Sequence, residues 1–107
     1  MGGDNAMTQA DAIERIEGLA ADNSRFKIGK TGQKLSDRFD SEYKHDYDKI
    51  IGICHSSKAR LIDKWEKDLI AHFQADADYK GKCDNDAVGG GEMDEAETYR
   101  LYVAVKK

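Results

Sequence analysis

Segments with helical spacing of apolar residues alternate along this chain with segments of strand-like spacing. TQADAIERIEGLAADN places its apolar residues on one helical face, with Thr8 as a cap and Asn23 as a stop. In SRFKIGK, Phe26 and Ile28 alternate with other residues, which is typical of a half-buried strand. A chain that alternates in this way is expected to fold into a sheet flanked by helices.

The rest of the chain continues this alternation. KLSDRFDSEY predicts a short helix with Leu35, Phe39 and Tyr43 facing inward, and YDKIIGIC predicts a second strand. KARLIDKWEKDLIAHFQ predicts the longest helix, capped by Ser56 and Ser57, and TYRLYVAVKK a closing strand after a polar, glycine-rich loop. The order α-β-α-β-α-β predicts an α+β fold with a small, three-stranded, mainly antiparallel sheet.

The length of 107 residues is enough for one modest core. We therefore expect a single domain over residues 8–107, preceded by a flexible N-terminus at residues 1–7. Apolar stretches such as IIGIC are too short for a signal segment or a membrane span, which predicts an intracellular, cytoplasmic protein with no membrane partner. Cys54 and Cys83 are interpreted as reduced thiols, because together with His55 they lack the paired spacing of a metal site.

Charge is distributed unevenly along the chain. The net charge is −4, which argues against a protein that coats nucleic acid non-specifically. Residues 25–45 nevertheless carry six basic against three acidic side chains, a local charge of +3 that leaves −7 for the rest. The six basic residues are Arg25, Lys27, Lys30, Lys34, Arg38 and Lys44. Both a local phosphate-binding surface and an ordinary solvated surface fit this distribution.

Two phosphate- or metal-binding motifs are excluded by their spacing. SRFKIGKT has Ser24 where a nucleotide-binding P-loop requires its first glycine, and its strand runs directly to Gly29 without the long loop. A calcium loop starting at Asp76 would place Lys80 and Ala87 where oxygen ligands are needed.

The ordered set of FKIGKTGQKLSDRF, WEKDLIAHF and the asparagine of CDNDAVGGG resembles the GIY-YIG nuclease superfamily, in particular the phage-type branch whose second tripeptide is Lys-Ile-Gly. The resemblance covers roughly residues 25–91, and its single motifs are short. It implies a metal-dependent endonuclease, of phage origin, that hydrolyses phosphodiester bonds of DNA rather than RNA with one Mg²⁺ or Mn²⁺.

The same resemblance implies roles for individual residues. It places Lys27–Gly29 on the second tripeptide, where the first position is more usually tyrosine. It places Arg38 on the arginine that faces the scissile phosphate, and Glu66 on the glutamate that holds the metal. Asn85 corresponds to an asparagine found after that helix.

The resemblance has one large departure, because a helix stands where the first Gly-Ile-Tyr strand belongs. The closing strand RLYVAV has a similar composition, and a circular permutation would place its Tyr102 in the missing position. We therefore expect residues 98–105 to pair beside residues 25–29. Tyr102 or Lys27 would then take the proton from an attacking water. The alternative is that Tyr102 is a packed ring with its hydroxyl at the surface.

Candidate nucleic-acid contacts surround this motif. Gly29, which lacks a side chain, would let a phosphate approach the backbone, and His45 could assist proton transfer. The full candidate set is Lys27, Gly29, Lys30, Lys34, Arg38, Lys44, His45 and Asn85.

Glu66 is unusual even without the resemblance. At helical spacing it projects within the apolar face of the longest helix, between Ile70 and Phe73. A carboxylate there loses hydration, so it requires a metal ion in a cleft or an intramolecular partner such as Arg38 or Lys27. Both possibilities stay open.

Two functions follow. The retained Arg38 and Glu66 favour an endonuclease. The missing first tripeptide and the lysine at position 27 favour an inactive nuclease-fold module that binds nucleic acid or a protein partner. With either function, a protein partner or a homodimer is a further expectation.

Overall fold

The computed structural model describes residues 7–86 and 93–107. The elements follow the predicted order, so the α+β fold with three helices and a three-stranded antiparallel sheet is confirmed. They are α1 Gln9–Asp22, β1 Arg25–Thr31, α2 Leu35–Arg38, a π-helical turn Phe39–Tyr43, β2 Lys49–Ser56, α3 Ala59–Ala75 and β3 Tyr99–Lys106. Residues 1–6 of the expected flexible N-terminus lie outside the described residues, and Met7 packs against the core.

The closing strand β3 is the centre of the sheet, in the order β1-β3-β2. It pairs antiparallel with β1, with Phe26 opposite Val105 and Gly29 opposite Tyr102, so the predicted pairing of the two strands is confirmed. On its other side it pairs antiparallel with β2, where Gly52 also lies opposite Tyr102. The central place of β3 follows from its nearly continuous apolar run, since such a strand needs cover on both faces.

The two faces of the sheet carry different cores. One face packs against α1 and α3 through Phe26, Ile28 and Val103, which belong to the larger cluster. The other face carries Tyr102 and Ala104, which pack with tyrosines from the π-helical turn and the residues after it. Successive residues of a strand point to opposite faces, so each basic residue of β1 is assigned to one face by its position.

The helix ends agree with the sequence for α1 but not for α3. Thr8 and Asp11 form a capping box at the start of α1, and Asn23 is its C-cap, as predicted. The serine cap predicted for α3 is wrong. The N-cap is Lys58, without a side-chain bond, because β2 continues through Ser56, whose hydroxyl accepts from the Lys58 amide at 3.0 Å. No helix within the described ranges has the length and apolar character needed to span a membrane.

The outer edge of β1 is covered by the segment that follows α3. The Phe26 amide donates to the Lys82 carbonyl at 2.9 Å, and the Asp84 amide donates to the Phe26 carbonyl at 2.8 Å. The side chain of Asn85 continues this pairing, because it accepts from the Ile28 amide at 2.9 Å and donates to the Ile28 carbonyl at 2.8 Å. This edge of β1 is therefore protected against pairing with another chain.

Candidate functional site

The ring of Tyr102 lies directly over Gly29, its cross-strand neighbour. A Cβ at Gly29 would lie 2.4 Å from both the Cζ and the hydroxyl oxygen of Tyr102. Position 29 therefore requires glycine for the packing of this ring. The ring also fills the space above Gly29 through which the sequence suggested that a phosphate would approach.

Tyr102 connects the centre of the sheet to α2. Tyr102 is only 1% exposed. Its hydroxyl accepts a hydrogen bond from Nε of Arg38 at 3.2 Å and lies 2.7 Å from the hydroxyl of Tyr43. The alternative of a surface hydroxyl on Tyr102 is therefore wrong. Burial, together with the bond to Tyr102, raises the pKa of Tyr43 well above its usual range, so Tyr43 stays a neutral phenol.

Arg38 is held at two of its nitrogens. Nε donates to Tyr102, and Nη1 lies 3.5 Å from the carboxylate of Glu42 one helical turn later. The side chain keeps 30% of its surface exposed. A guanidinium has five N–H donors, so these two contacts leave donors of this partly exposed side chain for a ligand.

Arg38 lines a cleft of about 280 Å³ at the end of β1. The other lining residues are Lys30, the turn from Thr31 to Gln33, and the segment from Met93 to Ala96. This segment approaches the chain closely at Gly32, where a Cβ would lie only 2.8 Å from the Cβ of Ala96. The lining therefore combines the basic Lys30 and Arg38 with the acidic Asp94 and Glu95.

Lys30, one of the candidate nucleic-acid contacts, is buried. Its ammonium nitrogen lies 3.4 Å from Oε1 of Glu66 and bonds to the carboxylate of Asp63. Glu66 is 7% exposed, as its place in the apolar face of α3 indicated. Lys30 is thus an intramolecular partner of Glu66, because position 30 faces α3, whereas position 27 points to the other face.

The chemistry at Glu66 suits an ammonium group better than the Mg²⁺ or Mn²⁺ that the sequence suggested. Carboxylate oxygens are suitable ligands for both ions. However, Lys30 already contacts Asp63 and Glu66, and a divalent ion on the same oxygens would place like charges side by side. Hydrogen bonding from Lys30 is the main cause that holds the pKa of Asp63 below its usual range, so this carboxylate is ionised at neutral pH.

Several other candidates lie away from the cleft. Lys34, Lys44 and His45 are exposed, and Lys27 is half-buried opposite Ala104 on the Tyr102 face. The amide of Asn85 is engaged by the backbone of β1 and supports the strand edge. Among the candidate residues, the structure therefore brings Lys30 and Arg38 to one cleft. Arg38 contacts Tyr102, and Lys30 contacts Glu66.

Sequence reasoning missed Tyr43 and Asp63 as partners of the candidate residues. Asp63 precedes Glu66 by three residues on α3, so their shared helical face was available as a signal. Sequence reasoning also missed a group of side chains elsewhere whose types can bind a metal ion. Glu17, His72 and Asp76 place ligand atoms within 4.8 Å of one another where α1 packs on the end of α3.

Comparisons with protein-family models, with curated proteins and with solved structures find no match for this chain. The assignment of a function therefore rests on the residues of the cleft and on their contacts.

Proposed function

We propose that the cleft beside Arg38 binds a phosphodiester group of nucleic acid, DNA in the first place, and that the domain hydrolyses it. The observation that carries this proposal is the hydrogen bond from Nε of Arg38 to the buried hydroxyl of Tyr102. It orients the guanidinium at a cleft that Lys30 also lines. A planar guanidinium can donate two parallel hydrogen bonds to phosphate oxygens, which makes an oriented arginine well suited to this ligand.

In the proposed reaction, the oxygen of a water molecule attacks phosphorus, and the bond from phosphorus to the leaving nucleoside oxygen breaks. The water loses a proton and the leaving oxygen gains one. Arg38 stabilises the negative charge that develops on the non-bridging oxygens. Tyr102 is a positioning residue, because its hydroxyl contacts Arg38 and Tyr43 and its residue surface is only 1% exposed. Lys27 lies away from the cleft, so the proton of the water would pass to solvent.

The charges of the protein favour a short contact with the nucleic-acid backbone. The net charge is −4, and Asp94 and Glu95 line the same cleft as Arg38. Each phosphate that a protein neutralises adds to the salt dependence of its binding. Binding through Arg38 and Lys30 should therefore show the weak salt dependence of about two neutralised phosphates at most.

Binding without hydrolysis is the second candidate function. It is favoured by the contact between Lys30 and Glu66, since the carboxylate that the resemblance assigns to the catalytic metal already has an ammonium partner. In this case the cleft would serve a nuclease-fold module that recognises nucleic acid or an acidic segment of a protein partner.

The two candidates separate when hydrolysis and binding are measured on the same proteins. Nicking of supercoiled plasmid and fluorescence anisotropy of a labelled oligonucleotide would be compared for the parent protein, Arg38→Ala and Arg15→Ala. Arg15 is an exposed arginine of α1 and serves as the matched control. Loss of nicking in Arg38→Ala alone supports the endonuclease, and Arg38-dependent binding without nicking supports the binding module. Oligonucleotide binding that is unchanged in Arg38→Ala contradicts both candidate functions.

A further inference from the structure

Lys30 is a lysine in an environment where an isolated ammonium would be unstable. Its side chain is 6% exposed and lies on the sheet face that packs against α3. A charge in such a place is tolerated when oppositely charged groups surround it. Asp63 and Glu66, three residues apart on one face of α3, supply these groups.

Among the described residues, the charges around Lys30 balance without a metal ion. Asp63 also contacts Lys67, whose Nζ lies 3.2 Å from its second oxygen. Within residues 7–86 and 93–107, two carboxylates thus meet two ammonium groups. A divalent ion that bound to Glu66 would add two positive charges and would have to displace Nζ of Lys30 from the carboxylates.

We propose that the ammonium of Lys30 occupies the position at which a divalent ion would bind Glu66, and that with Arg38 it forms a pair of fixed cations for one phosphate group. The first half of this proposal, that Lys30 takes the place of the ion, rests on the contacts of Lys30 alone. The second half, that Lys30 and Arg38 bind one phosphate group, rests on the proposed function of the cleft. An ammonium has three N–H donors, and its contacts with Asp63 and Glu66 use two of them among the described residues; the third could serve a phosphate oxygen in the cleft that Lys30 lines.

The two cations reach the cleft from different sides of the sheet. Arg38 is oriented by Tyr102 on one face, and Lys30 by Glu66 on the other. Because both cations belong to the chain, binding of an oligonucleotide should be the same in EDTA as in Mg²⁺.

Titration calorimetry with Mn²⁺ tests the first half without any need for hydrolysis. All proteins would carry His72→Ala, so that the group of Glu17, His72 and Asp76 does not contribute heat. We expect no Mn²⁺ binding that depends on Glu66 while Lys30 is present. Lys30→Met should gain a Mn²⁺ site, and adding Glu66→Gln should weaken this site at least about tenfold.

The opposite pattern overturns the inference. If Mn²⁺ binds while Lys30 is present and Glu66→Gln removes that binding, Glu66 is a metal ligand and Lys30 does not replace the ion. This comparison needs no Lys30 variant, so it tests whether Glu66 binds Mn²⁺ even if Lys30→Met fails to fold. Lys30→Arg keeps the positive charge and should gain no Mn²⁺ site; a gain in this variant also contradicts the proposal.

Oligonucleotide binding in EDTA tests the second half. Lys30→Met should lose at least about tenfold in affinity, comparable to the loss of one charge-assisted contact of about 1.4 kcal/mol. Unchanged affinity in Lys30→Met removes Lys30 from the phosphate contact. Unchanged affinity in Arg38→Ala instead contradicts the proposed function, while the Mn²⁺ titration still decides what occupies the position beside Glu66.

Discussion

The ring of Tyr102 lies so close over Gly29 that a Cβ at that glycine would be 2.4 Å from the ring carbon Cζ. This contact joins the central strand to β1 and brings the Tyr102 hydroxyl to Arg38 and Tyr43. The glycine is thus needed for the position of the tyrosine, and through the tyrosine for the orientation of the arginine.

Gly29→Ala should destabilise the fold, because the added methyl group overlaps a ring that is packed on all sides. We expect a loss of about 1–3 kcal/mol in the free energy of unfolding, measured by urea denaturation. Gly18→Ala is the matched control, because the space around Gly18 on α1 is open. There we expect a gain of about 0.5–1 kcal/mol from helix propensity. Equal stability of the two variants would show that the Tyr102 ring moves aside at little cost.

Arg38→Lys should restore little of the oligonucleotide affinity or nicking that Arg38→Ala loses. A lysine ammonium is a point charge and cannot bond to Tyr102 while presenting two parallel donors to a phosphate. Because Arg38 keeps 30% of its side-chain surface exposed, we expect the free energy of unfolding to change by less than about 1 kcal/mol. Anisotropy, plasmid nicking and urea denaturation would be measured together. Nearly full function in Arg38→Lys would reduce the arginine to a general electrostatic role.

Neutralising the acidic residues that line the cleft should strengthen binding. In the variant Asp94→Asn with Glu95→Gln, we expect oligonucleotide affinity to rise about 3- to 10-fold at low salt, because two charges that repel a phosphate are removed. The gain should shrink as salt screens the charges. Glu14→Gln, on an exposed position of α1, should change affinity little. The same gain from Glu14→Gln would mean that overall charge, not the cleft, governs binding.

Removal of residues 98–107 should unfold the protein. Strand β3 lies between β1 and β2, so its loss removes both ladders of the sheet and the buried side chains from Tyr99 to Val105. The full chain should give a cooperative thermal transition by circular dichroism, whereas the truncated chain should give none. A cooperative transition near that of the full chain would show that β3 is not needed for the sheet.

Acidification should weaken the contact between Lys30 and Asp63. Because the pKa of Asp63 is lower in the folded than in the unfolded state, its contribution to stability is present above the unfolded pKa of about 3.9. That contribution is lost as the pH falls through the lower, folded pKa. Urea denaturation between neutral and acidic pH should show a smaller decrease in Asp63→Asn than in the parent protein. If the free energy of unfolding depends on pH in Asp63→Asn as it does in the parent protein, the lowered pKa of Asp63 is contradicted.

Local features of the sequence were sufficient for the elements and their order. The apolar spacing of α1 and its capping residue Thr8 are contained within a few residues, and the same holds for the apolar run of β3. The burial of Glu66 also followed from the periodicity of a single helix. These predictions succeeded because helix and strand periodicity depends on neighbours in the chain.

Contacts between distant residues depended on the packed structure. Whether Glu66 met Lys27, Lys30 or Arg38 was decided by the face of β1 that packs against α3, and this face is set by all elements together. The roles of Asn85 and Gly29 likewise depend on where β1 lies between its neighbours. Asn85 hydrogen-bonds to the edge of β1, and Gly29 leaves space for the ring of Tyr102. The sequence could supply residues of suitable chemistry, whereas their partners were chosen by burial and by the alternation of side chains across one shared sheet.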